Sequence, residues 1–349
     1  MKPIVIITGA NGFLGNHLVR YYEYLADVRA LILPGSSKVP LQGVRCTIYE
    51  GDVTKPDSLK DLFTLPSDRE CLVIHCAAIV SIRTGNRRPM QEVNIEGMRT
   101  ILKMALAAHA KLVYVSSVHA IPERPAPQVI TEVSSFDPKL VRGAYAKTKA
   151  AAADLVLRAV REEELWACIV HPSGMLGPGD YGRSHLTQLV VDTLNGRLVA
   201  GVSGGYDFVD VRDVTKGIAL AAQKGKPGDC YLLTGHACTV PDLLNEITRT
   251  VQLKPVKSRI PLWFAKLTAP FAEGYYLLLR QPPLYTSYSL YTLSSNHRFS
   301  CEKAKRDLGY RPRPLEETVR DTVVWLLKQG RIRPSRAAKC ILPKQKKET

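Results

Sequence analysis

Tyr145 and Lys149 stand four residues apart in Gly143-Ala-Tyr-Ala-Lys-Thr-Lys149, a spacing that puts a phenol and an ammonium on one face of a helix. A nearby ammonium lowers the pKa of a phenol from about 10, so the pair is a candidate for proton transfer. The same pair also arises by chance on a solvated helix face. A second feature lies near the N-terminus, Thr8-Gly-Ala-Asn-Gly-Phe-Leu-Gly15, directly after the apolar run Ile4 to Ile7. A strand, a glycine turn and a helix start are the parts of a phosphate-binding site. Gly9 permits the tight turn, Gly12 leaves room for a pyrophosphate, Gly15 allows close helix packing, and the helix N-terminus offers N–H groups to an anion. The spacing Gly-x-x-Gly-x-x-Gly matches neither Gly-x-Gly-x-x-Gly nor a Walker loop, so an ordinary glycine turn is the competing reading.

The elements that must carry these groups are legible as a rhythm. Apolar β-type runs at 4–7, 28–33, 44–49, 71–75, 111–115 and 167–171 alternate with helical patterns near 13–25, 57–64, 90–109 and 143–163. This alternation predicts an α/β fold, a Rossmann-type doubly wound parallel sheet, with ligands at the carboxyl ends of the strands. After Pro172 the rhythm breaks and Gly and Pro recur more often.

Composition bounds the function classes. A chain of 349 residues with 45% hydrophobic and 23% charged residues is an ordinary globular protein. The run at 4–7 is too short for a secretory signal, which predicts a cytoplasmic protein. Eight cysteines are scattered without Cys-x-x-Cys or zinc spacing and read as free thiols, with no metal site. The net charge is +16, and residues 328–349 hold eight Lys or Arg against one Glu. That stretch reads as a solvated basic tail or, less simply, a contact with an anionic membrane surface. No nucleic-acid motif accompanies it.

Taken in order, these motifs resemble the extended short-chain dehydrogenase/reductases, the NAD-dependent epimerase/dehydratase superfamily, over most of residues 1–328. The resemblance rests on the glycine turn, Gly51-Asp-Val53, His75-Cys-Ala-Ala78, Val93-Asn94, Val115-Ser-Ser117, the Tyr145/Lys149 pair, His171-Pro-Ser-Gly-Met-Leu-Gly-Pro178 and Asp207-Phe-Val-Asp-Val-Arg-Asp213. It implies a dinucleotide domain over 1–171 and 206–235, with strands near 206–209 and 229–233 returning to the sheet. A smaller substrate-binding cap is then expected over 172–205 and 236–327. It also implies acid–base chemistry coupled to hydride transfer. Tyr145 exchanges the proton, Ser117 orients the substrate oxygen, Lys149 supports tyrosinate and contacts the ribose, and Asn94 positions backbone near the site. The cofactor would lie on Gly9, Asn11, Gly12, Phe13, Leu14, Gly15, Asp52, Val53, Ala77, Ala78, Pro172 and Ser173, and against Tyr145 and Lys149. Ser81, His119, Tyr181 and Tyr206 fall on the substrate side. Relatives of this kind are commonly homodimers, here through the helices near 90–109 and 143–163.

Cofactor choice turns on the end of the second strand. No acidic residue follows Leu33, and Ser36, Ser37 and Lys38 are expected to cradle a 2′-phosphate, which favours NADP over NAD. Two departures bear on substrate. Nucleotide-sugar members commonly have an Asn where Gly174 stands and an Arg where Tyr206 stands, which weakens a diphosphate-sugar reading. The run 260–279 is rich in aromatic residues and too broken by Lys266, Pro270 and Glu273 for a membrane span. Trp263, Phe264, Phe271, Tyr275 and Tyr276 are expected to face an apolar substrate or the protein's own core. The pattern is most similar to the 3β-hydroxysteroid dehydrogenase and dihydroflavonol-reductase-like branch. It implies a secondary alcohol or ketone on an apolar ring system, with a nucleotide-sugar epimerase or a non-catalytic cofactor sensor as alternatives.

Overall fold

The structure, a computed structural model, describes residues 2–80, 88–182, 184–198, 200–256, 258–269 and 287–332. Strand β1 (Ile4–Thr8) is buried at every position, which requires neighbours on both edges and layers on both faces. It pairs with β2 (Asp27–Ile32) on one side and β4 (Cys71–His75) on the other. The sheet extends through β3 (Thr47–Glu50), β5 (Lys111–Val115), β6 (Ala167–Pro172) and β10 (Cys230–Leu233). Its seven strands are parallel in the order β3-β2-β1-β4-β5-β6-β10. Strand order reverses between β1 and β4, so the loops leaving those two strands open a crevice between them.

Helices cover both faces. One core is formed with α3 (Gly97–Ala107) and α4 (Ala144–Glu162), the other with α1 (Phe13–Tyr22) and α6 (Val211–Lys224). Two expected helices differ in detail. The stretch 57–64 forms only a short 3₁₀ turn, Pro56–Leu59, and the approaching Pro66 disfavours a helical Leu65. The helix expected over 90–109 starts as α2 (Arg88–Gln91), widens through a π turn at Glu92–Glu96 and continues as α3.

A second region holds a three-stranded sheet of β7 (Gly174–Leu176), β9 (Gly205–Asp210) and β11 (His236–Thr239), and a short pair of β8 (Gly201–Val202) with β12 (Arg259–Ile260). Helices α5 (His185–Leu194), α7 (Val240–Thr250) and α11 (Leu315–Lys328) enclose its core. Helix α8 (262–269) and α9 (Ser287–Ser294) lie beside it. Two expectations are corrected here. The strand over 206–209 does not return to the large sheet, because β9 pairs with β7 and β11. It is buried from both sides, Phe208 in the core of α7 and α11 and Val209 in the core under the large sheet. Conversely, α10 (Glu302–Leu308), expected in the cap, packs on α6 and β10, with Ala304, Leu308 and Tyr310 buried there. Among the described residues no helix is long and apolar enough to cross a membrane.

Candidate active site

The glycine turn brings three backbone segments together at the crevice. Gly9 takes the left-handed conformation with φ +65°, and a Cβ there would stand 3.0 Å from the Ala77 backbone. A Cβ on Gly15 would stand 2.1 Å from the Gly9 carbonyl oxygen. The Thr8 hydroxyl accepts from the Cys76 and Ala77 N–H groups at 3.1 and 3.0 Å and meets His75 Nδ1 at 2.8 Å. With two bonds accepted, the hydroxyl donates its own proton, so His75 is neutral at Nδ1; burial accordingly drives its pKa down to about 3. The first turn of α1, with Phe13 and Leu14, faces the crevice with N–H groups that have no acceptor inside the helix. This cradle fits a pyrophosphate.

On the far side of the crevice, β5 ends at Val115 and Ser117 caps a short turn, its hydroxyl accepting from the His119 N–H at 3.3 Å. Tyr145 and Lys149 reach this point from α4, and both are buried. The Lys149 ammonium donates to the Val115 carbonyl at 2.8 Å and lies 4.9 Å above the Tyr114 ring. Burial lowers its pKa to about 8. The expected depression of the Tyr145 pKa by Lys149 is not what this arrangement produces. Burial pushes the phenol up to about 12, opposed by Ser117, because the ammonium is directed at Val115.

Asn94 sits in the π turn and is buried. Its amide donates to the Ile79 carbonyl at 3.1 Å and to Thr148 Oγ1 at 3.0 Å, and its carbonyl accepts from the Ile79 N–H at 2.8 Å. Thr148 in turn donates to the Tyr145 carbonyl at 2.8 Å. Asn94 therefore ties the loop after β4, with Ala78, to the tyrosine helix; a widened turn is a common way to direct such a side chain inward.

The two sequence departures form a single contact. The Tyr206 ring lies on Gly174, where a Cβ would stand 2.9 Å from it. Its hydroxyl meets His119 Nε2 at 2.7 Å, and the two rings stack with centroids 5.7 Å apart. The His119 ring meets Tyr145 edge-on at 6.1 Å, and desolvation takes its pKa down to about 4, so it is neutral. A cavity of about 390 Å³ opens beside this cluster, lined by His119, Tyr206, Ile121, Val141, Tyr288 and Phe299 among others, with Lys139 and Lys147 also facing it. Arg142 at the same cavity stacks on Tyr291 at 4.3 Å. Tyr288 and Phe299 arrive from segments far along the chain, and nothing local in the sequence marks them. A hint exists at Gly143, against which the Tyr288 ring packs so tightly that no side chain fits.

Other expected substrate residues lie elsewhere. Tyr181 packs edge-on against Trp325 at 5.4 Å and does not line the cavity, its loop being pinned by the Arg331 bond to the Asp180 carbonyl. Trp263 and Phe264 point outward, 69% and 46% exposed, because α8 buries its small face, Ala265 and Ala269. Ser81, Phe271, Tyr275, Tyr276 and the tail after 332 lie outside the described residues.

At the cofactor end, Asp52 Oδ1 accepts from the Thr54 N–H and hydroxyl at 2.9 and 2.8 Å, and Val53 is buried under Gly97. Pro172 ends β6, and the next residue, Ser173, donates to the buried Asp207 carboxylate at 2.5 Å. Asn11 donates to Ser36 Oγ and to the Ser37 carbonyl. Lys38, expected to be available to a phosphate, is paired with Glu50 at 2.7 Å.

A profile of the NAD-dependent epimerase/dehydratase family matches residues 5–233. The chain belongs to that family. It is 32% identical over 336 residues to sterol demethylase protein B of Methylococcus capsulatus, covering 94% of this chain and 99% of that protein. A putative dihydroflavonol 4-reductase of Synechocystis is 27% identical, over 95% of this chain and 97% of its own. The decarboxylating sterol-4-alpha-carboxylate 3-dehydrogenase of Saccharomyces cerevisiae is 25% identical, over 92% and 97%. The crystal structure of gox2253 superposes with a TM-score of 0.82 at 30% identity, covering 95% of this chain and all of that one. Family membership makes the chain an NAD-dependent oxidoreductase, and the glycine cradle and the Tyr145, Lys149 and Ser117 cluster stand on either side of one crevice, as such chemistry requires.

Proposed function

We propose that the chain interconverts a secondary alcohol and a ketone on an apolar ring system, most simply a 3-hydroxy- or 3-oxosteroid or sterol. The observation that carries this reading is the Tyr206 ring seated on Gly174 and bonded to His119 beside Tyr145. Recognition of a diphosphate needs paired cations or an array of N–H donors; at the Tyr206 position the site presents neutral stacked rings instead, and of the cations that line the cavity Arg142 is already stacked on Tyr291. The names of the sterol-acting relatives support the same substrate class. Lys139 and Lys147 at the cavity favour, as a second reading, a ring system that also bears an acidic substituent.

The dinucleotide would rest with its pyrophosphate on Gly9, Gly12 and Gly15, and its adenosine end toward Asp52 and Ser36. When bound, it supplies or accepts the hydride. Tyr145 transfers the proton at the substrate oxygen, and Ser117, whose side chain acts on that phenol, orients the oxygen. With its pKa near 12, Tyr145 is stored as the acid, ready for carbonyl reduction. Oxidation needs tyrosinate, and Lys149 is the group placed to stabilise it once the ammonium turns from Val115.

Following reduced cofactor by absorbance across a 3-hydroxysteroid, a carboxylated sterol, a flavonoid ketone and UDP-glucose tests the substrate class. Turnover is expected on a steroid or sterol and none on UDP-glucose. Efficient epimerisation of the nucleotide sugar, with no activity on any ring ketone or alcohol, would overturn the proposal.

We also propose a homodimer packed through α3 and α4. These helices present a groove of Leu102, Leu106 and Leu155 flanked by Arg99, Lys103 and Arg158, a surface a two-fold axis can pair with itself. Sedimentation at micromolar concentration should show a particle of twice the 38.6 kDa chain mass; a monomer alone would refute this.

A further inference from the structure

In a sheet of this kind the ribose that carries adenine lies at the carboxyl end of the second strand, where a carboxylate binds its hydroxyls and cations bind a 2′-phosphate. Here β2 ends at Ile32 and runs into Leu33, Pro34 and Gly35, with no carboxylate. The neighbouring strand supplies one. Ile32 is in register with Glu50, so the last residue of β3 stands level with the last residue of β2. The Glu50 carboxylate pairs with Lys38 Nζ at 2.7 Å, and the ammonium beside it holds its pKa below the usual carboxylate value. The loop that holds this pair is tied to the glycine turn, since the Asn11 amide donates to Ser36 Oγ and to the Ser37 carbonyl, each at 2.9 Å. A carboxylate and its counter-ion are thereby fixed at the rim of the dinucleotide crevice, with side chains 42% and 56% exposed.

We propose that Glu50 sets the choice of dinucleotide, favouring NAD by accepting from the ribose hydroxyls and by keeping Lys38 from a 2′-phosphate. This replaces the expectation that Ser36, Ser37 and Lys38 form an NADP cradle. A ribose diol brings hydroxyl donors to a carboxylate that only accepts. A 2′-phosphate brings acceptor oxygens and negative charge to a Lys–Glu pair with no net charge to offer. It must either displace Glu50 from Lys38 or lie against the carboxylate, and both are unfavourable. The inference rests on the dinucleotide site alone and is independent of the substrate reading.

Calorimetric titration of the purified full chain with NAD and with NADP, without substrate, tests it. The wild type is expected to bind NAD at least ~10-fold more tightly, the scale of one charged hydrogen bond gained or lost. Glu50→Gln frees Lys38 and should move the ratio of the two dissociation constants toward NADP by ~10-fold or more. Lys38→Met leaves Glu50 uncompensated and should weaken NADP further, with NAD changed by less than ~3-fold. Tighter NADP binding in the wild type, or a ratio unmoved by Glu50→Gln while NAD still binds, would overturn the proposal. If Glu50→Gln binds neither dinucleotide, Lys38→Met decides: a ratio that stays put or moves toward NADP refutes it.

Discussion

Tyr145→Phe should lower turnover by at least ~10²-fold while leaving the fold and dinucleotide affinity in place, because positioned acid–base catalysis contributes roughly 10²–10⁴. The substitution removes one oxygen. The ring keeps its edge-on contact with His119, and Asn94 still holds α4 to the loop after β4 through Thr148. Single-turnover rates measured beside a calorimetric dissociation constant separate the two effects. Turnover within a few-fold of wild type would remove Tyr145 from the reaction. The direction of reaction adds a pH signature. With the phenol pushed up to about 12, wild-type carbonyl reduction should be flat across neutral pH, whereas alcohol oxidation, which needs tyrosinate, should climb as pH rises.

The second large effect is a trade of stability against activity at Lys149. Burial lowers its pKa from 10.5 to about 8, and each pKa unit corresponds to about 1.4 kcal/mol. The folded protein thus carries a charge that disfavours folding at neutral pH. The linkage has a definite sign. Between about 8 and 10.5 the unfolded chain holds a proton that the folded chain has released, so wild-type stability rises with pH in that window; below it both states are charged and the cost is constant. Lys149→Met fills the same space without the charge. Allowing about 1 kcal/mol for the lost bond to the Val115 carbonyl, the variant without cofactor should be more stable at pH 7 by about 2 kcal/mol. That advantage should shrink as pH approaches 10.5, and turnover should fall with the loss of the group that supports tyrosinate. Urea midpoints of both proteins at pH 7 and pH 10 provide the check. A Met variant no more stable than wild type at pH 7, or a difference that ignores pH, counts against the assignment.

Both predictions depend on side chains whose presence was readable in the sequence and whose settings were not. The large sheet was legible because strands such as Lys111–Val115 are nearly continuous apolar runs, which only a strand covered on both faces can carry. β9 reads the same way, yet it belongs to another sheet. Phe208 and Val209 alternate between two cores, and alternation alone does not say which strands will be partners. The spacing of Tyr145 and Lys149 placed both at the site, but the phenol's pKa depends on where the lysine amine points, a tertiary matter. Register is equally hidden. Lys38 and Glu50 meet because β3 pairs beside β2, so a lysine that looked available for a phosphate acquired a partner twelve residues away. The cavity wall from Tyr288 and Phe299 has no local signature at all, since each is placed by packing against residues more than a hundred positions distant.

The seat of Tyr206 on Gly174 also constrains how this sequence can change. A side chain at 174 needs space that the tyrosine ring now fills, with the nearest ring carbon 2.9 Å from where its first carbon would stand. Gly174→Asn made first meets both the Tyr206 ring and the Asp207 carbonyl oxygen at 3.1 Å, whereas Tyr206→Arg made first removes the ring and leaves only the carbonyl contact for the asparagine to accommodate. The two positions are therefore epistatic, and a path from this aromatic floor toward a polar, anion-binding one is less obstructed in one order than in the other.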